Sequence, residues 1–319
     1  MSSNTQAIAD SQKQSPAPKE IKKELHPVFD ASLRVLACSF TGSATVFTGV
    51  MSSLQQGNPD QKMAIIGLIL SKNYWLGVAR ATPPTLVGST QKSVILANAP
   101  AVGKQAEVLA ENNAQISPQN KAMVNGAIAV GLGLGERLIT TPTNNKRQRA
   151  ANGWGTTMQG DLMKRIEYNY MGFANLIFRS SVKIGALIVI QPVIEEMMEG
   201  APISNPMIST MVSVGAASVV KSSVSIPFEV AHMAKLRFAQ EHNTVRVPST
   251  ASAMWKVAKT NGTAALFKGF HANLMTTAVG FFSIKAAGLI VDAATPQLTE
   301  LLDGTPLVRD VSSPAAGIS

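Results

Sequence analysis

The chain has 319 residues, of which 45% are hydrophobic and 15% charged, and a net charge of +9. Soluble domains carry about 25% charged residues, so this composition argues against an ordinary soluble enzyme. Basic runs interleaved with aromatics are lacking, which argues against nucleic acid as a partner. The single Cys38 excludes an intrachain disulfide or a zinc cluster.

In chain order, Met1–His26 is polar and reads as a disordered tail, without the apolar core of a secretory signal or the Arg bias of a transit peptide. Asp30 to about Gln56 predicts a first long helix, stopped at Gly57-Asn58-Pro59-Asp60. Gln61–Leu70 is a short amphipathic candidate, and Pro83–Val102 is apolar again. A long helix follows over Asn120–Arg149, then a polar connector over Gly153–Glu167 with a short helix, then an apolar helix over Gly172–Met198. Asn205–Glu241 is the fifth long helix and contains Pro227. Pro248–Thr260 is a short surface helix with Ser249 as its cap. Gly269–Ala294 is the sixth long helix, and the rest is a polar tail.

Few of these stretches reach about 20 apolar residues, the length that crosses a bilayer core. Val35–Leu54 and Ala201–Val220 are uncharged but rich in Ser, Thr and Gly. Such helices suit a bundle around a wet cavity, with small residues at close helix contacts. Trp75, Trp154 and Trp255 fall in or near connectors, where interfacial anchors sit.

The order long, short, long occurs three times. Aligned without gaps, KNYWLGVARATPPTL from Lys72 matches TNGTAALFKGFHANL from Thr260, placing Ala81 on Gly269; YNYMGFANLIF from Tyr168 places Gly172 at the same point. The three anchors recur at intervals of roughly 90–100 residues, a repeat signature. Upstream, Pro142, Asn144 and Arg147 match Pro227, Glu229 and His232 in spacing.

These features resemble the mitochondrial carrier family, whose repeats carry a proline, an acid two residues on and a base five on. After a short helix, the family has an acid, a glycine, four residues, an aromatic, a base and a glycine. The third copy gives Pro227, Glu229 and His232, then Asn261, Gly262, Phe267, Lys268 and Gly269. The resemblance implies an all-α membrane protein with six transmembrane helices in three pseudo-repeats, each with a short surface helix. Its parts would be a polar tail over 1–27, repeats over 28–104, 119–199 and 205–295, and a polar tail over 296–319.

Pro142 and Pro227 would kink their helices towards one end of the cavity, where acid and base latch neighbouring helices. The first copy has no proline, acid or base between Gly42 and Gln56, so Arg147 and Glu229 are expected to lack partners from it. Asn144 and His232 could still share a hydrogen bond. At the other end the expected gate ring is Lys104, Glu195 and Asp292, with Lys104 pairing an acid. Family ligand contacts lie about seven to eleven residues past each anchor. That implies Arg179, Ser180 and Lys183 in the second copy, Lys92 in the first and Thr276 in the third as the substrate site.

Two cations on one helix face, Arg179 and Lys183, are costly in lipid unless they meet water or an anion. Snorkelling, or a pair between Arg179 and Glu136, would also accommodate them. Glu136 and Lys221 hold equivalent positions before their prolines and could face each other. The four histidines have no metal-ligand spacing, and no cofactor is implied.

The resemblance implies a multi-pass solute carrier of the mitochondrial inner membrane. It would move a small anionic solute (carboxylate, phosphate or nucleotide) by alternating access, as a monomer in contact with membrane lipid. The unequal copies leave a second reading open: a carrier-like receptor, scaffold or insertion factor that does not transport.

Overall fold

The structure is a computed structural model, and it describes residues 23–42, 45–57, 65–96, 98–99, 102, 118–199 and 206–310. Helices dominate. Three helical stretches among the described residues, Leu162–Met198, Ile208–His242 and Thr263–Leu301, are long and apolar enough to cross a membrane.

The chain opens with strand β1 (Lys23–Leu25), followed by α1 (Pro27–Gly42) and α2 (Thr45–Gly57), which cover the predicted first long helix. The short α3 (Ile65–Ile69) leads to α4 (Lys72–Leu96), then α5 (Pro118–Ala151). In the next segment come α6 (Leu162–Asn169), α7 (Phe173–Gly185), a wide turn over Ala186–Ile190, and α8 (Gln191–Glu199). The last third holds α9 (Pro206–His242), α10 (Thr250–Asn261), α11 (Phe270–Leu301) and strand β2 (Val308–Asp310). Ser249 caps α10 as expected, its hydroxyl accepting from the Ser252 amide at 3.2 Å.

Packing follows the chain. α1 packs on α4, α4 on α5, α5 on α7, α7 on α9, α9 on α11, and α11 returns to α1. The outward sides keep apolar residues exposed, among them Leu134, Leu138, Val212, Val220 and Phe282. A soluble protein hides such faces, whereas a lipid-facing bundle leaves them out.

The three anchors are not equivalent. Gly172 and Gly269 cap α7 and α11 in the left-handed region, with φ of +70° and +79°. That conformation costs a residue with a Cβ roughly 1–2 kcal/mol. In the first copy Ala81 stands there, and it lies inside α4. Without a glycine the chain does not break, so the segment that is a short helix plus a long helix elsewhere is one helix here. α4 therefore begins at Lys72, well before the predicted Pro83.

The C-terminal segment also differs from expectation. α11 runs through Pro296 to Leu301, and Val308–Asp310 pairs antiparallel with Lys23–Leu25. The His26 amide donates to the Leu307 carbonyl at 2.6 Å, and Lys23 pairs with Asp303. Parts of both stretches read as polar tails are thus ordered against each other. Two three-residue strands are too short for period-two hydrophobicity to reveal them.

Candidate functional site

The ring encloses a cavity of about 130 Å³. Its wall carries six cationic side chains: Lys92 from α4, Arg137 and Arg147 from α5, Arg179 and Lys183 from α7, and Lys221 from α9. No carboxylate is among the lining residues. The remaining wall is mostly small and polar, including Ser89, Thr143, Asn144, Thr276 and Thr277.

Two buried carboxylates stand behind this wall. Glu136 takes Lys183 Nζ at 2.8 Å and the Ser180 hydroxyl at 2.9 Å, with Arg137 Nη2 at 3.6 Å. Glu229 takes Arg179 Nε at 2.8 Å, Gln56 Nε2 at 3.1 Å, Lys221 Nζ at 3.2 Å and the Ser225 hydroxyl at 3.2 Å, and also the Asn273 amide. Lys221 reaches Asn273 Oδ1 at 2.8 Å and Thr277 at 3.0 Å as well. Lys92 and Arg147 have no carboxylate partner among the described residues. Arg147 Nη2 only meets Asn144 Oδ1 at 3.3 Å. Arg137 Nη1, Arg147 Nε and Asn144 Nδ2 are buried donors without a partner.

This geometry corrects several sequence readings. Arg179 pairs with Glu229, not Glu136, and Lys183 takes Glu136 instead. Lys221 joins Glu229 and does not face Glu136. Ser180 is off the cavity wall, where its hydroxyl accepts from Arg137 Nε at 2.6 Å and donates to Glu136. Lys92, Arg179, Lys183 and Thr276 do share the cavity, and the Thr276 hydroxyl also donates to its own helix at Ala272.

Glu229 was expected to lack a partner from the first copy, but Gln56 supplies one. Gln56 is 3% exposed near the end of α2, an uncharged helix. Its neutral amide hides it from a search for an acid or base. Asn152 Nδ2 reaches the Ser53 carbonyl at 3.3 Å, a second link from α5 to the first copy. His232 Nε2 meets Asn145 Oδ1 at 3.0 Å, one residue past the expected Asn144. Asn145 Nδ2 donates to the Asn169 and Met171 carbonyls, tying α5 to the turn before α7.

α5 and α9 run continuously through Pro142 and Pro227. Pro142 has no N–H for the Leu138 carbonyl four residues back, and the Tyr170 hydroxyl takes that carbonyl at 2.9 Å. The freed group of a membrane proline is thereby satisfied from a neighbouring segment.

At the other end, Glu195 pairs with Lys285 at 3.0 Å and Asp292 with Arg34 at 2.6 Å. Lys104 lies outside the described residues. Lys285 and Arg34 went unnoticed in the sequence because neither occupies the position equivalent to Lys104, Glu195 or Asp292.

A ring of helices with apolar outer faces and a cation-lined interior fits a membrane-embedded bundle around a polar cavity. Residues 204–285 match the family model of mitochondrial carrier proteins, which supports membership of the mitochondrial carrier family. The matched stretch contains Pro227, Glu229, His232 and Gly269, the best-kept copy of the motif. No curated protein matches the chain.

Proposed function

We propose that the chain carries a small anionic solute (a carboxylate, phosphate or nucleotide) across the mitochondrial inner membrane by alternating access. Six transmembrane helices in three repeats would surround the path. The observation that carries this reading is the charge balance: six cations on the cavity wall against Glu136 and Glu229 behind it. Charges in a membrane helix cost roughly 2.5–3.5 kcal/mol each on insertion scales. A net excess of four positive charges is tolerable where an anion and water enter.

Lys92 and Arg147 would receive the solute first, since no protein carboxylate holds them. Arg179 and Lys183 would then exchange a protein carboxylate for a solute oxygen, which Arg can grip in two-pronged fashion. Gate residues Asn144, Arg147, Glu229 and His232 would close one end, and Glu195 and Asp292 would serve the other. An anion that loosens the Arg179–Glu229 pair would favour the state in which that end opens, and this differential binding is the coupling.

The test is uptake by proteoliposomes containing the purified chain, across carboxylates, phosphate and nucleotides. Saturable uptake of at least one anion is expected. Folded protein that moves none of them overturns the proposal and favours a non-transporting receptor or scaffold.

A further inference from the structure

Beyond the Gln56–Glu229 contact lies a second hollow, a groove of about 490 Å³ between α9 and α10, with Gln56 at its edge. α9 has 37 residues, about 55 Å at 1.5 Å per residue against a hydrocarbon core of about 30 Å. Part of it therefore lies outside the core, and the charges of Lys235, Arg237 and Glu241 mark its last turns as that part.

The groove is amphipathic. Val230, Ala234 and Phe238 line it from α9, and Ala253 and Val257 from α10. Arg237 is taken by Glu241 at 2.7 Å. Lys235 Nζ meets only the Thr250 hydroxyl, at 2.9 Å, and keeps donors to spare. The Lys256 ammonium sits 5.9 Å from the Phe238 ring centre and has no carboxylate among the described residues. Two ammonium groups without counter-charge thus border an apolar trough.

We propose that this groove binds an amphiphilic monoanion, with an acidic head between Lys235 and Lys256 and a short apolar body along Val230, Phe238 and Val257. An inorganic anion would leave the apolar walls wet. A neutral chain would leave both ammoniums uncompensated. Burial of each methylene contributes about 0.8 kcal/mol, so head and body are both needed for binding. Gln56 is common to this groove and to the Glu229 bond. A ligand here packs behind the latch and holds it shut, which makes the groove a regulatory site separate from the solute path.

The experiment titrates the full chain in lipid nanodiscs with octanoate, 1-octanol and acetate, read by calorimetry. Octanoate is expected to bind saturably, and the other two not. Lys256→Glu, at an exposed position, should weaken octanoate about tenfold, and Ala234→Phe should abolish its binding by filling the trough. Lys92→Ala, in the central cavity, should leave it unchanged. Octanol binding as well as octanoate would show partition into lipid, and acetate doing so would show a bare ion site; either overturns the proposal. So does unchanged octanoate binding in both groove variants, its loss in Lys92→Ala, or no saturable octanoate binding at all.

Discussion

Gln56 and Glu229 meet behind the cavity wall, the glutamine amide donating to the carboxylate at 3.1 Å. This bond joins α2, which has no charged residue, to the buried carboxylate of α9. Glu229 also holds Arg179 and Lys221, so one carboxylate gathers donors from α2, α7, α9 and α11.

Removing either partner therefore has unequal effects. Gln56→Ala takes one donor from a charged acceptor that keeps four others, and should cost about 1.5–3 kcal/mol. Glu229→Ala strands two buried cations and should cost about 3–5 kcal/mol. Thermal unfolding of the detergent-purified variants should rank wild type above Gln56→Ala above Glu229→Ala. A Gln56→Ala protein that unfolds with the wild type would show that the glutamine is not part of the latch.

Cations on the cavity wall divide by whether the protein already holds them. Lys92→Ala removes a charge with no carboxylate partner, so unfolding should be unchanged or shifted upwards while anion uptake falls at least about tenfold. Lys183→Ala leaves Glu136 with Arg137 and Ser180 alone, and should lower both uptake and stability, the latter by about 3–5 kcal/mol. Parallel uptake and unfolding measurements on the two variants separate solute contact from scaffold pairing. If Lys92→Ala transports normally, the lysine does not contact the solute.

What the sequence made legible depended on residue type. Gly172, Gly269, Pro142 and Pro227 carry backbone chemistry that shows as spacing, and each sits at a helix start or inside a long helix as that chemistry requires. The cavity cations Lys92, Arg179 and Lys183 were visible because charge is rare in apolar helices. Pairing was not. Arg179 and Lys183 are one turn apart, yet one meets Glu229 on α9 and the other Glu136 on α5, a choice of neighbouring helix that spacing does not encode. Neutral partners such as Gln56 and Asn145 leave no mark in composition or charge pattern. The Lys23–Leu25 ribbon joins residues from opposite ends of the chain, and local pattern carries no signal for such a pair.

The two anchor types give opposite responses to substitution. Gly172→Ala imposes a Cβ on a φ of +70° and places it 2.2 Å from His232 Nδ1, so the ring that bonds Asn145 must move. A loss of about 2 kcal/mol or more follows, the left-handed conformation alone costing roughly 1–2. Ala81→Gly, inside α4, should cost only about 0.5–1 kcal/mol for helix propensity plus the lost methyl contact. Unfolding midpoints of the two variants check this, and equal losses would contradict the difference between Gly172 as a left-handed cap and Ala81 inside a helix.

The terminal ribbon should respond to acid. The Lys23 ammonium, hydrogen-bonded to Asp303, holds that carboxyl below the usual aspartate range. A lowered folded value means the contribution is present above the unfolded value, about 3.9, and is lost as pH falls through the folded one. Spin labels at positions 24 and 309, opposite one another across the strands, would report it. A narrow distance distribution at neutral pH should broaden once acid takes the solution below the usual aspartate range, and Asp303→Asn should broaden it at every pH. A distribution that is narrow in the Asn variant would show that backbone pairing alone holds the two ends of the chain together.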